Sequence, residues 1–109
     1  MAQLVPVAEL GAIRPGATLS VAIADGDVAL FNVDGVVYAL HDACARCGAP
    51  LSQGTYSGMH VLCTGCGWEY DVRTGAVSAV PDLRIHTFDV TVVGSQLMVI
   101  VAGRDAEAH

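Results

Sequence analysis

Four cysteines in two pairs are the part of the sequence with the clearest chemical meaning. They are Cys44, Cys47, Cys63 and Cys66, which read C-x2-C, fifteen residues, then C-x2-C. A two-residue gap lets two thiolates of one tight turn point at a common centre, and two such pairs are typical of a four-thiolate metal site. The spacing therefore predicts that all four cysteines bind one metal centre.

A glycine follows the second cysteine of each pair, at Gly48 and Gly67. Glycine readily takes a positive φ, which lets a turn fold around a metal and direct backbone N–H groups at the sulfurs. Such donors offset thiolate charge, and matched turns of this kind are typical of mononuclear iron and zinc sites. Two disulfides would need an oxidising compartment, and a thiol-exchange motif would need a thioredoxin-like βαβ unit; the sequence indicates neither.

Length and composition restrict the fold to one compact domain, predicted to span 1–109. The chain has 109 residues, of which 53% are hydrophobic and 15% charged, so bulk disorder is excluded. No run approaches the ~18 consecutive apolar residues of a membrane span. The first residues do not read as a signal peptide, and we expect a cytoplasmic protein in a reducing compartment.

The charge balance excludes polyanionic partners. Five arginines, no lysine and eleven acidic residues give a formal charge of -6. Nucleic acids and anionic membranes require basic surfaces, so neither is an expected partner, and a partner with a basic docking face fits the net charge better.

The hydrophobic pattern predicts an all-β protein, because short apolar runs recur between Gly, Asp and Pro residues. Asp34-Gly35 predicts a type I′ hairpin between strands 28–33 and 36–41. The other predicted strands are 3–7, 18–23, 59–62, 68–71, 87–92 and 97–101, and a turn is predicted at 25–27. Residues 42–75 are predicted to form an inserted, loop-built metal-binding subdomain, and 103–109 a flexible tail. The whole predicts a small antiparallel β-barrel or sandwich with a site at one end.

Two segments carry a family resemblance. Residues 42–54 read DACARCGAPLSQG and residues 63–75 read CTGCGWEYDVRTG. Together with the flanking strands and Pro81, they resemble Rieske-type ferredoxins and related Rieske domains. The resemblance implies a Rieske-like fold, a two-iron two-sulfur cluster and a small soluble electron carrier. Such a carrier is not itself an enzyme; it would take electrons from a flavin-dependent reductase and pass them to an oxygenase or similar terminal enzyme.

The ligand set departs from the family pattern. Both histidine positions of the Rieske loops are occupied by other residues, Arg46 and Cys66, and Cys47 stands one residue past the first of them. Arginine stays protonated and offers no lone pair, so it cannot replace histidine as a ligand. Two centres remain open. A cluster would have Cys44 and Cys63 on one iron and Cys47 and Cys66 on the other, with a potential falling toward that of all-cysteine ferredoxins. A rubredoxin-like site would close all four sulfurs around one iron or zinc.

The spacing favours the mononuclear centre and the resemblance favours the cluster. The chief rival function is a zinc-bearing structural or interaction domain, which would have no redox activity. Arg46 could stabilise an anionic centre or present positive charge to a partner, or it could be a solvated loop residue. Trp68 and Tyr70 are expected to pack beneath the site. The histidines do not sit at ligand spacing and are not predicted to bind metal: His41, His60, His86 and His109.

Overall fold

The structure, a computed structural model, describes residues 2–23 and 26–102. Nine strands and two short 3-10 helices, Leu10–Ala12 and Leu51–Gln53, lie in these ranges. The strands are β1 Ala2–Glu9, β2 Thr18–Ile23, β3 Gly26–Val33, β4 Val36–His41, β5 Thr55–Ser57, β6 His60–Leu62, β7 Glu69–Asp71, β8 Thr87–Val93 and β9 Gln96–Ala102. The all-β prediction is confirmed, whereas the predicted tail 103–109 lies outside the described residues.

Two antiparallel sheets make up the fold. The larger has six strands in the order β1-β9-β8-β4-β3-β2, and its first and last strands contact each other, so the sheet is nearly closed into a barrel. The smaller has the order β5-β6-β7 and lies within the predicted insertion 42–75. The exact limits of that subdomain stay a prediction.

The β3–β4 hairpin has the predicted turn. Asp34 and Gly35 have φ values of 52° and 95°, and two positive φ values in a two-residue loop are what a type I′ turn requires. The predicted turn at 25–27 was wrong for two of its residues, because Gly26 and Asp27 already lie in β3 and pair with Ile23 and Ala22; Asp25 is outside the described residues. β5 was not among the predicted strands.

The core has two parts, one inside the barrel and one under the cysteine loops. One fills the barrel between the β2–β4 and β8–β9 strands and includes Leu30, Phe88 and Val99. The other lies under the cysteine loops and includes two of the cysteines. Its buried members are Ala29, Phe31, Val33, Leu40, Cys44, Leu51, Val61, Cys63, Tyr70, Val72, Val77 and Ile85. Residues of β3 belong to both parts, so the barrel and the base of the site share one rigid strand.

Hydrogen bonds at two buried residues, Asp42 and Asn32, connect the inserted segment to the barrel. Asp42, at 6% exposure, accepts hydrogen bonds from the Ser52 N–H and hydroxyl and from the Ser20 hydroxyl, each at 2.7 Å. The Asn32 side chain donates to the Ile13 carbonyl, while the backbone carbonyl of Asn32 accepts from the Tyr56 hydroxyl at 2.6 Å. Because buried polar groups are costly when unpaired, these bonds fix the position of the loops on the sheet.

Candidate metal centre

Two loops of the same construction present the cysteines. We call residues 44–49 the first knuckle and residues 63–68 the second. In the first, the Cys44 N–H donates to the Ala49 carbonyl at 2.8 Å and the Gly48 N–H to the Cys44 carbonyl at 2.9 Å. In the second, the corresponding bonds have the same lengths and run from Cys63 to Trp68 and from Gly67 to Cys63. The two C-x2-C-G segments therefore adopt one conformation twice.

Glycine is required in both knuckles for backbone reasons. Gly48 and Gly67 have φ values of 80° and 81°, and a Cβ added at either position would meet no other atom within 4 Å. Space is therefore not the constraint at these positions. The left-handed conformation is the constraint, and it costs an L-residue about 1–2 kcal/mol.

Backbone N–H groups point at the sulfurs, as predicted from the glycines. The Arg46 N–H donates to Cys44 Sγ at 3.4 Å and the Gly65 N–H to Cys63 Sγ at 3.3 Å. The two buried sulfurs thus each have a backbone donor that stabilises negative charge on them, which is the environment a metal-bound thiolate needs.

The four sulfurs form a compact group. Cys44 Sγ lies 3.6 Å from Cys66 Sγ, Cys47 Sγ lies 3.4 Å from Cys63 Sγ, and all four lie within 4.8 Å of one another. A tetrahedral site with metal–sulfur bonds of about 2.3 Å has sulfurs about 3.8 Å apart. In a two-iron cluster, two tetrahedra share an edge, and a terminal sulfur on one iron lies at least ~5 Å from each terminal sulfur on the other. The observed spacing fits the single tetrahedron.

The site is open on one side and closed on the other. Cys44 and Cys63 are buried, Cys66 is half-buried and Cys47 is exposed. Tyr70, which is fully buried beneath the knuckles, accepts a hydrogen bond from the Ala45 N–H at 2.9 Å. Its hydroxyl lies 3.2 Å from Cys44 Sγ, and it is the donor when Cys44 is a thiolate, which can only accept. Packing beneath the site was predicted for Tyr70; this hydroxyl contact with a ligand position was missed.

Gly65, between the second pair of cysteines, provides room for the sulfurs. A Cβ at this position would lie 2.7 Å from Cys47 Sγ, 3.2 Å from the Ala49 Cβ and 3.6 Å from Cys63 Sγ. Sequence analysis did not single out this residue, because the constraint comes from Cys47 on the other knuckle. The second knuckle can approach the first only because Gly65 has no side chain.

The thiols differ in their acidity before a metal binds. Burial raises the pKa of Cys44, but the Tyr70 hydroxyl and the N–H groups of Cys47 and Arg46 outweigh it and lower the pKa to about 6. At Cys47 the Ala49 N–H lowers the pKa, while the neighbouring thiols, first that of Cys63, raise it to about 11. Metal binding must therefore displace protons from the group, as it does in other thiolate sites.

Arg46 and Trp68 connect the two knuckles: the half-buried Trp68 packs against the core under the cysteines, and Arg46 lies over its ring. The Arg46 guanidinium carbon lies 5.4 Å from the centroid of the Trp68 ring, within the range of a cation–π contact. Arg46 belongs to the first knuckle and Trp68 to the second. Among the described residues, the metal-ligating types that cluster here are the four cysteines alone, and His41, His60 and His86 lie outside the group.

Comparison with known proteins assigns the chain to a family. The profile of the Rieske [2Fe-2S] domain matches residues 3–90. The chain belongs to the Rieske domain family. The ferredoxin component of the p-cumate 2,3-dioxygenase system of Pseudomonas putida is 33% identical over 92 residues, which cover 82% of this chain and 78% of that relative.

Solved structures agree with this assignment. The ferredoxin of carbazole 1,9a-dioxygenase from Nocardioides aromaticivorans IC177 superposes with a TM-score of 0.81 at 29% identity, covering 89% of this chain and 96% of that one. A chain from a complex of reduced oxygenase and oxidized ferredoxin in carbazole 1,9a-dioxygenase gives a TM-score of 0.81 at 26% identity, over 88% and 91%. The predicted Rieske-like fold and the ferredoxin class of electron-transfer proteins are confirmed.

Membership of the Rieske family implies an iron-sulfur type of centre, and the cysteine group is where this chain would hold it. The first expected histidine is Arg46, whose side chain lies over Trp68, and the second is Cys66, whose sulfur joins the group. The residues present therefore fit a centre with four thiolate ligands and do not fit one with two imidazoles. No helix among the described residues is long and apolar enough to span a membrane.

Proposed function

We propose that this protein is a one-electron carrier whose centre is a single iron bound by Cys44, Cys47, Cys63 and Cys66. The observation that carries the proposal is the separation of the sulfurs, all within 4.8 Å of one another. The short pairs also join the two knuckles crosswise, Cys44 with Cys66 and Cys47 with Cys63. A family-type cluster would place each of these pairs on different irons, at least ~5 Å apart.

The residues around the site suit this role. An iron bound by four thiolates supplies one-electron exchange between two oxidation states. The knuckle N–H groups and the Tyr70 hydroxyl donate to the sulfurs and so stabilise the more negative, reduced state. Cys47 is exposed, so a partner protein can approach the site within a short distance on that side, while the fixed sheet below prevents rearrangement.

The proposed partners come from the relatives. Those relatives are ferredoxin components of dioxygenase systems, and one solved structure is a complex of a ferredoxin with its oxygenase. We propose accordingly that this chain receives electrons from a flavin-dependent reductase and delivers them to an oxygenase-type enzyme in the cytoplasm. Its net charge of -6 supports docking on basic partner surfaces.

The test is a count of iron, zinc and acid-labile sulfide per chain, with a visible spectrum, on protein purified without oxygen. We expect one iron and no sulfide. Two irons with two sulfides would contradict the mononuclear centre and retain electron transfer. The four-cysteine knuckle pair is also a geometry of structural zinc sites. One zinc and no colour in protein from its native host would therefore establish the zinc domain and refute the carrier.

A further inference from the structure

The region around the cysteines has an unusual distribution of charge. From Ala43 to Trp68, Arg46 is the only Asp, Glu, Lys or Arg residue, although the chain as a whole has a charge of -6. The nearest acid on one side, Asp42, is buried and fully hydrogen-bonded by serines. One cation therefore stands alone beside a site that becomes anionic when four thiolates bind a metal.

Arg46 is connected to the site through both its backbone and its side chain. Its backbone N–H donates to Cys44 Sγ at 3.4 Å. Its guanidinium lies 5.4 Å from the ring centroid of Trp68, whose backbone carbonyl accepts a hydrogen bond from the Cys63 N–H at 2.8 Å. The Arg46–Trp68 contact thus joins two residues that are each hydrogen-bonded to a cysteine of the site, one in each knuckle.

We propose that Arg46 is a positioning residue that brackets the metal site, holding the two knuckles together through Trp68 and keeping a positive charge beside the sulfurs. The contact joins the knuckles while Cys47 stays exposed, and Tyr70 lies on the buried side of the site. The bracket retains the metal, whichever metal is bound. Its effect on the reduction potential rests on the proposed function, because only a redox-active centre has one.

The positive charge of Arg46 affects the reduction potential of an iron centre in a predictable direction. A nearby cation stabilises the state with more negative charge, and the reduced form of a four-thiolate iron site carries one more negative charge than the oxidised form. Removal of the Arg46 charge is therefore expected to lower the reduction potential of the iron form.

The contact with Trp68 affects a second quantity, the rate of metal release. An exposed cation–π contact contributes about 0.5–1 kcal/mol, so its loss is expected to speed metal release about two- to fivefold.

The experiment uses zinc-loaded, full-length protein and follows zinc transfer to an excess of a chromophoric chelator. Arg46→Gln is compared with Arg14→Gln, which removes the same charge from an exposed residue outside the site. We expect release about two- to fivefold faster for Arg46→Gln and unchanged for Arg14→Gln. Arg46→Lys keeps the charge without the planar group and is expected to fall between them. Equal release rates for the Gln variants would overturn the bracket.

A double-mutant cycle distinguishes loss of the Arg46–Trp68 contact from a general effect of the Arg46 substitution on the surface. If the contact with Trp68 is the cause, Arg46→Gln adds no further acceleration in a Trp68→Leu background. A full additional effect in that background would also overturn the proposal. On the iron-loaded protein, Arg46→Gln is expected to lower the potential relative to Arg14→Gln. If the protein holds only zinc, the carrier function fails, and the release rates still decide the bracket.

Discussion

Substitution of Gly65 by alanine tests whether the two knuckles close around one metal. The added Cβ would lie 2.7 Å from Cys47 Sγ, whereas ordinary contact begins at 3.4 Å, so the sulfur must move by about 0.7 Å. Functional constellations tolerate displacements of only about 0.5 Å. Metal affinity is therefore expected to fall about 10- to 100-fold, the range found when a support of a metal ligand is removed. This corresponds to about 1.4–2.7 kcal/mol.

The same substitution is expected to leave the metal-free protein almost unchanged. The Cys47 side chain is exposed and turns about one bond, so in the absence of metal its thiol can rotate away from the new methyl group. The free energy of unfolding without metal should therefore stay within about 1 kcal/mol of the original protein's. Loss of affinity without loss of stability is the signature of a clash confined to the metal site.

The assay is competition between the protein and a chelator of known affinity, with zinc as the metal, alongside urea unfolding of the metal-free form. Gly11→Ala is the matched control, because Gly11 has open space around its Cα and no positive φ. An affinity for zinc in Gly65→Ala equal to that of Gly11→Ala would refute the reasoning, since it would mean that the sulfurs do not converge beside Gly65.

Three further substitutions test separate parts of the site. Tyr70→Phe removes the donor to Cys44 Sγ and is expected to lower the potential of the iron form, measured by voltammetry; an unchanged potential would contradict the role of the hydroxyl. Asp42→Ala removes the buried acceptor of three hydrogen bonds, from the Ser20 hydroxyl and from the Ser52 N–H and hydroxyl, and is expected to lower the free energy of unfolding in urea by about 1–3 kcal/mol. Gly48→Ala forces alanine into the left-handed conformation, although there is room for its methyl group. The free energy of unfolding is expected to fall by about 1–2 kcal/mol, and metal affinity is expected to fall less than in Gly65→Ala.

The parts of the molecule that sequence predicted well are those with local signals. Asp34-Gly35 determines its own turn because both residues accept positive φ, and the pattern of β4 follows from it. The cysteine spacing likewise predicted the convergence of all four sulfurs. The signal is local for the turn and within each C-x2-C pair, and the repetition of the pair indicated that the two loops meet at one centre.

The parts that were missed depend on residues distant in sequence. The Tyr70 hydroxyl contacts Cys44 across 26 positions, and the three donors to Asp42 come from β2 and from the short helix that follows the first knuckle. The need for glycine at position 65 arises from Cys47, on the other knuckle. Pattern and spacing carry no information about such contacts, because they exist only once the two loops have been placed on the sheet.

The residues that hold the two loops on the sheet are separate from the four cysteines. Asp42, Tyr56 and Tyr70 fix the loops to the sheet, and none of them depends on whether a histidine or a cysteine faces the metal. The first loop also departs from the family pattern by a shift of one residue, since Cys47 follows the family's histidine position, which is Arg46 here.

That shift makes the first loop a C-x2-C-G knuckle equivalent to the second, with glycine φ values of 80° and 81°. Two equivalent knuckles that face each other direct four sulfurs at one point, whereas the Rieske pattern directs one pair of ligands at each of two irons. The glycine symmetry and the sulfur separations are independent features, and both favour the single metal.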